Sequence, residues 1–233
     1  METIKQQAIQ CMQEGRYADA VSFLVKLEKD EIKDWTLYYA LGQCYRFSGQ
    51  LTLAHQFLET AKQINRLNAE IAYAYAEVCE LMMYHEEAIR AYEDVISLHP
   101  NRVAAYNKIG LIYARMDNLD EAMVWFQRAM KQISILENAG ITMSDESYLQ
   151  ALKTKMELDY VFPHAKPEDT MDLPVIKAVI MNSIGVCHFQ QDNHDEAKKY
   201  FKKSIALLPY DTVFDDPKVY LVKMDGMFRH EVY

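Results

Sequence analysis

The sequence predicts an all-α chain, an α-solenoid of repeated helix-turn-helix units, and three observations carry that prediction. Glycine and proline are scarce, with 7 and 6 in 233 residues, less than half of the roughly 28 that average usage would supply. A turn-rich β-sandwich or barrel, a linker chain and a low-complexity chain are disfavoured by that shortage. Small residues also recur: Ala20, Ala54, Ala88 and Ala122 lie 34 residues apart, each twelve residues after another small residue, Ala8, Gly42, Ala76 or Gly110,. The third observation is helical amphipathicity. Ala88, Ala91, Tyr92, Val95 and Ile96 share one face, with Glu86, Glu87, Arg90, Glu93 and Asp94 on the other, and Ala122, Trp125, Phe126, Ala129 and Met130 repeat the stripe,.

In chain order, the first repeat keeps Ala8, Gly15, Ala20 and Leu24 and is the most degenerate, as terminal repeats with one uncovered face often are. The second carries Tyr38, Leu41, Gly42, Tyr45, Gly49, Ala54, Leu58 and Ala61. The third carries Ala76, Ala88, Tyr92 and Pro100, and the fourth Tyr106, Ile109, Gly110, Tyr113, Ala122, Phe126 and Ala129. From Ala122 to Ala197 is 75 residues, 41 more than one repeat, so an insertion separates the fourth repeat from the fifth, which carries Ile184, Gly185, Ala197, Phe201 and Pro209. Inside the insertion, Ser144 caps a predicted helix with a Tyr148, Leu149, Leu152 and Met156 stripe, and Pro163, Pro167 and Pro174 mark a loop,. After Pro209, Asp216-Pro217 opens a last helix with Tyr220, Met224, Met227 and Phe228 on one face,. The expected organisation is therefore repeats one to four over residues 1–134, the inserted helix and loop over 135–174, repeat five over 175–209 and a capping helix or tail over 210–233, all one continuous domain.

The net charge of −9 has the wrong sign for a protein that neutralises phosphates, so neither nucleic acid nor an anionic membrane is an expected partner. Met1 to Gln10 lacks the apolar stretch of a signal peptide, and no later segment is expected to approach the roughly 18 apolar residues of a membrane span. Cys11, Cys44, Cys79 and Cys187 form no CxxC pair and read as reduced, buried small hydrophobes of a cytoplasmic protein.

These residues and spacings resemble the tetratricopeptide repeat family, and the match covers about four fifths of the chain. Cys79 and Ala72 depart from it where tyrosine and a bulky residue are usual, and His188 replaces the tyrosine in repeat five. The resemblance implies a right-handed α-solenoid of five such repeats whose first helices line a concave surface that grips an extended peptide or a partner helix. Carried over position by position, that surface includes Tyr39, Gln43 and Arg46 in repeat two; Tyr73 and Glu77 in repeat three; Asn107, Leu111 and Arg115 in repeat four; and Asn182, Val186 and Phe189 in repeat five. Asparagine suits a peptide groove because one amide both donates and accepts, while tyrosine adds apolar area with a polar tip. The Lys/Asn/Arg clamp with which some family members hold a C-terminal carboxylate is not reproduced: the corresponding Lys5, Ile9, Ala40, Glu70 and Ala74 supply one cation. Arg46, Lys108 and Arg115 remain as cations that could meet an acidic guest residue.

No phosphate loop, GxSxG or HExxH occurs. His188, Asp192, His194 and Asp195, and the inserted His164, Glu168, Asp169 and Asp172, are too loosely spaced to read as a metal or catalytic site. No catalytic residue, metal or cofactor is expected. The sequence thus points to a non-enzymatic adaptor or scaffold that binds a peptide or partner helix, with self-association through the C-terminal helix as a further route to assembly. A peptide-responsive regulatory receptor and an accessory subunit of a larger assembly are the alternatives, and an enzyme with its site in the insertion is a distant third.

Overall fold

The computed structural model describes residues 2–29, 34–140, 173–207 and 221. Among them all regular structure is helical: α1 (Glu2–Gln13), α2 (Tyr17–Lys29), α3 (Trp35–Phe47), α4 (Leu51–Ile64), α5 (Ala69–Leu81), α6 (His85–Leu98), α7 (Val103–Arg115), α8 (Leu119–Asn138), α9 (Leu173–Gln190) and α10 (His194–Leu207). The chain divides into two compact units that part in sequence between Ala105 and Tyr106.

The described part of the first unit is three helix pairs, α1–α2, α3–α4 and α5–α6, in which consecutive helices pack against each other. Its core follows the repeat. Ala8, Ala20, Leu24, Ala54, Leu58, Ala76, Ala88 and Tyr92 are all fully buried. A Cβ built on Gly42 would stand 2.5 Å from Leu58 Cγ, so the missing side chain is what lets α3 and α4 approach. The starts of α3 and α5 are capped: the Asp34 carboxylate accepts from Thr36 N–H at 3.2 Å, and Asn68 Oδ1 accepts from Glu70 and Ile71 N–H at 2.9 and 3.2 Å, satisfying donors that have no partner inside the helix.

In the second unit α9 packs against both α8 and α10. The same glycine approach recurs, with a Cβ at Gly110 lying 2.5 Å from the Phe126 ring and one at Gly185 2.6 Å from the Phe201 ring. Ala122, Phe126, Ala197 and Phe201 are fully buried, and the hydroxyl of buried Ser204 donates to the Ala178 carbonyl at 2.7 Å. Leu221, the one described residue of the expected C-terminal helix, is helical and packs against Ala197 and Phe201. Of the insertion expected over 135–174, residues 141–172 lie outside the described residues, as does the rest of the C-terminal helix; Pro174, expected in the loop, is instead the second residue of α9, where a proline without an N–H is tolerated,.

All five corners share one backbone conformation. Gly15, Gly49, Met83, Asp117 and Asp192 have φ of 73°, 76°, 62°, 59° and 59°, and each occupies the fifteenth position of its repeat. The left-handed turn is therefore a rule of the array, kept even where the residue is not glycine.

Two helices run past the expected repeat limits. α8 continues to Asn138 rather than ending at 134, because Ile133 and Leu136 continue its buried face. α9 begins at Leu173, two residues before the expected limit; Leu173 is itself buried, and Lys177 near the helix start pairs with Glu137 at 2.8 Å. The same helix also corrects the hydropathy expectation. The 18-residue α9 is long and apolar enough, by length and composition, to cross a membrane, with a mean hydropathy of 1.2; it is the first helix of repeat five, packed between α8 and α10.

Candidate functional site

The side chains predicted to line a groove fall into two states. In repeats two and three they are bound to one another. Tyr39 and Gln43, one helical turn apart on α3, are both buried, and Gln43 Nε2 donates to the Tyr39 hydroxyl at 2.9 Å. Burial, reinforced by the Glu70 charge, raises the Tyr39 phenol above its ordinary range. Arg46 of α3 donates to Glu77 of α5, with only 8% and 7% of their side chains exposed. Arg102, at the end of repeat three, pairs with Glu70 and lies 3.9 Å over the Tyr73 ring. Tyr73 in turn meets Tyr92 edge to face at 5.4 Å. Of the cations expected to meet an acidic guest, Arg46 is thus already engaged inside the protein.

Gln43 Oε1 and Arg46 Nε nevertheless have no hydrogen-bond partner among the described residues. In repeats four and five the corresponding atoms are asparagine oxygens. Asn107 of α7 and Asn182 of α9 stand at the same repeat position, and both are buried. Among the described residues neither Oδ1 has a hydrogen-bond partner. Along the same helices Leu111, Val186 and Phe189 are half-buried and Arg115 is exposed, and the Phe189 ring lies 5.5 Å from His194.

The loosely spaced cluster of repeat five does not converge. His188 stacks on Tyr200 at 5.5 Å, whereas His194 lies against the Phe189 ring and 4.0 Å from Asp192. All four cysteines are free and buried, as expected.

Sequence reasoning missed a different constellation. His55 of α4, Cys79 of α5 and Glu87 of α6 bring one imidazole nitrogen, one thiol sulfur and one carboxylate oxygen within 4.8 Å of one another. The Tyr75 hydroxyl lies 3.1 Å from His55 Nε2 and donates to Glu87 Oε1, which is itself 3.6 Å from His55 Nε2. The His55 ring also meets Tyr75 and Tyr84 at 4.9 and 5.9 Å. Burial, with the Glu87 charge second, pushes the Cys79 thiol up to about 12. These residues come from three helices, so no short motif could announce them. The signal available in the sequence was Cys79 itself, standing where the family usually has tyrosine.

Residues 36–66, 85–133 and 178–211 each match family models described as tetratricopeptide repeat. The chain is a tetratricopeptide repeat protein. Repeats of this family are generally non-enzymatic protein-interaction scaffolds. A curated mouse relative, BBSome complex member BBS4, is 22% identical over 216 residues; the match takes in 90% of this chain but 39% of the relative, so the chain spans about two fifths of that protein's length. Among solved structures, MamA is 20% identical with a TM-score of 0.61, over 85% of this chain and 92% of MamA. MamA from Desulfovibrio magneticus RS-1, residue 41 to its end, is 16% identical with a TM-score of 0.65, over 88% and 93%. At such identities the likeness establishes the fold.

Proposed function

We propose that this tetratricopeptide repeat protein is an interaction scaffold that holds a peptide or a partner helix on the first helices of its repeats, with repeats four and five supplying recognition. The observation that carries this reading is the pair Asn107 and Asn182, whose buried amide oxygens have no partner among the described residues. A buried acceptor left without a donor costs about 1–3 kcal/mol. A guest backbone N–H, met after a small rotation of the amide, removes that cost and gains affinity. Half-buried Leu111, Val186 and Phe189 offer apolar area beside the amides, and exposed Arg115 favours a guest with an acidic residue, worth about 0.2–1 kcal/mol as an exposed pair.

The test is affinity capture from native cell extract, identified by mass spectrometry, with wild type beside an Asn107→Ala/Asn182→Ala variant of unchanged circular dichroism. Proteins lost with the variant are groove ligands; identical capture lists would defeat the groove reading. A second reading, membership of a larger assembly, is supported by the exposed Leu67, Met83 and Leu81, at 81%, 61% and 57% exposure, and by a relative described as a complex member. It predicts that Leu67→Glu or Met83→Glu lowers the native complex size while the double asparagine variant does not. Four free, buried thiols support a reducing compartment as the location.

A further inference from the structure

We propose that His55, Cys79 and Glu87 form a binding site for a divalent metal ion of the zinc class where α4, α5 and α6 meet. The donor set is the first argument. One imidazole, one thiolate and one carboxylate are ligand types zinc accepts together, and the mixture of nitrogen, sulfur and oxygen disfavours calcium or magnesium, which take oxygen.

Distance is the second argument. The ligand atoms already lie within 4.8 Å of one another, with His55 Nε2 and Glu87 Oε1 3.6 Å apart. Bonds of about 2.0–2.3 Å set tetrahedral edges of about 3.3–3.8 Å, so shifts of roughly 1 Å close the site. Such shifts lie within side-chain freedom, because His55 and Glu87 are 18% and 38% exposed. Cys79 is fully buried on α5 and fixes the floor.

Charge is the third. A dipositive ion held by a thiolate, a carboxylate and a neutral imidazole has no net charge, which makes a partly buried location tolerable. In the balance of the binding step Cys79 gives its proton to solvent and the metal–sulfur bond replaces the S–H bond; His55 binds as the neutral ring. Tyr75 keeps its proton. Its hydroxyl, already donating to Glu87, holds the carboxylate from the outer shell and so acts as a positioning residue. Of the three ligands Glu87 faces an open cleft of about 820 Å³, which it lines together with Tyr75, Glu59, Lys62 and Asp94; under the proposal, water for the fourth position comes from that side.

The experiment uses the full chain, cleared of metal by chelator and kept reduced, titrated first with Co²⁺ and then with Zn²⁺. Expected are one equivalent of Co²⁺ with thiolate-to-cobalt charge-transfer absorption in the near ultraviolet, bleached by one equivalent of Zn²⁺. Cys79→Ala removes the absorption, His55→Gln removes stoichiometric binding, and Tyr75→Phe keeps the absorption but weakens Zn²⁺ about 10- to 100-fold. His194→Gln changes nothing. If Cys79→Ala fails to fold, His55→Gln, at a half-buried position, still decides the matter. A folded wild type without charge-transfer absorption, absorption that survives Cys79→Ala, or Zn²⁺ affinity unchanged by His55→Gln overturns the site and leaves a hydrogen-bonded cluster only.

Discussion

In repeats two and three first-helix side chains bind one another, whereas in repeats four and five the amide oxygens of Asn107 and Asn182 have no hydrogen-bond partner among the described residues. At the fifth repeat position, Tyr39 accepts from Gln43 and Tyr73 sits beneath Arg102, while Asn107 and Asn182 bury amide oxygens with no partner among the described residues. At the ninth, Glu77 binds Arg46, while Leu111 and Val186 carry no polar group at all. The same register therefore carries internal pairs in one part of the array and, under the proposed function, recognition in the other. The family pattern alone cannot separate the two, because it specifies which positions face a groove and not what they touch.

The sharpest way to break that contrast is at Glu77. Glu77→Ala leaves the Arg46 guanidinium buried without its carboxylate and should cost about 3–5 kcal/mol, the penalty for an uncompensated buried charge. Asn107→Ala, which removes an amide already lacking a partner for its oxygen, should cost less than about 1 kcal/mol and should act on partner binding instead. Chemical denaturation of both variants checks this. Equal losses would mean that the two sets of residues are energetically alike.

Close approach sharpens the comparison next. At position eight a methyl added to Gly110 meets the Phe126 ring at 2.5 Å, and one added to Gly185 meets Phe201 at 2.6 Å. Gly110→Ala should destabilise by about 1–3 kcal/mol as the rings are forced from fully buried places. In repeat three Ala76 already occupies that position opposite Tyr92, both fully buried, so the helix pair there is spaced for a methyl. Ala76→Gly should cost about 1 kcal/mol through backbone entropy. Melting curves of the two variants read the difference.

The buried thiols give a pH test across the same divide. Burial, with Cys11 second, pushes the Cys44 thiol of repeat two up to about 12, and burial pushes Cys187 of repeat five up to about 11. Below about pH 9 folded and unfolded chains both hold these protons. Above it the unfolded chain loses them first, so stability falls by about 1.4 kcal/mol per thiol per pH unit. The loss ends near pH 11 for Cys187 and near pH 12 for Cys44. Denaturation midpoints at pH 8 and pH 10 should drop less in Cys187→Ala than in wild type; parallel drops would show that the thiol is not held protonated.

Legibility in the sequence followed periodicity. Positions 8, 20 and 24 were readable because each recurs at 34 residues, and all prove to be core. The register expected to face a groove follows the same rule, but the pairing of Arg46 with Glu77 and of Glu70 with Arg102 was not legible, since those partners stand 31 and 32 residues apart in different parts of the array. His55, Cys79 and Glu87 were invisible for a related reason: three helices deliver them, and only Cys79 breaks the consensus. The corners were legible where glycine marks them and hidden at Met83, Asp117 and Asp192, where the backbone turns left-handed without it.

Those hidden corners carry the smallest expected effect. Met83 adopts φ of 62° in repeat three, whereas Asp117 and Asp192 adopt 59° in repeats four and five. A left-handed conformation costs an ordinary L-residue about 1–2 kcal/mol, and aspartate less, because its short side chain can bond to nearby backbone. Gly15 and Gly49 avoid the cost. Met83→Gly should therefore stabilise the chain by about 1 kcal/mol, reduced somewhat by the greater freedom glycine gives the unfolded state, and Met83 is 61% exposed, so little packing is lost. Asp117→Gly should gain less than about 0.5 kcal/mol. A Met83→Gly variant that is destabilised instead would mean that the methionine side chain holds the corner by contacts that outweigh its backbone strain, and that this turn, unlike its four counterparts, is kept for its surface.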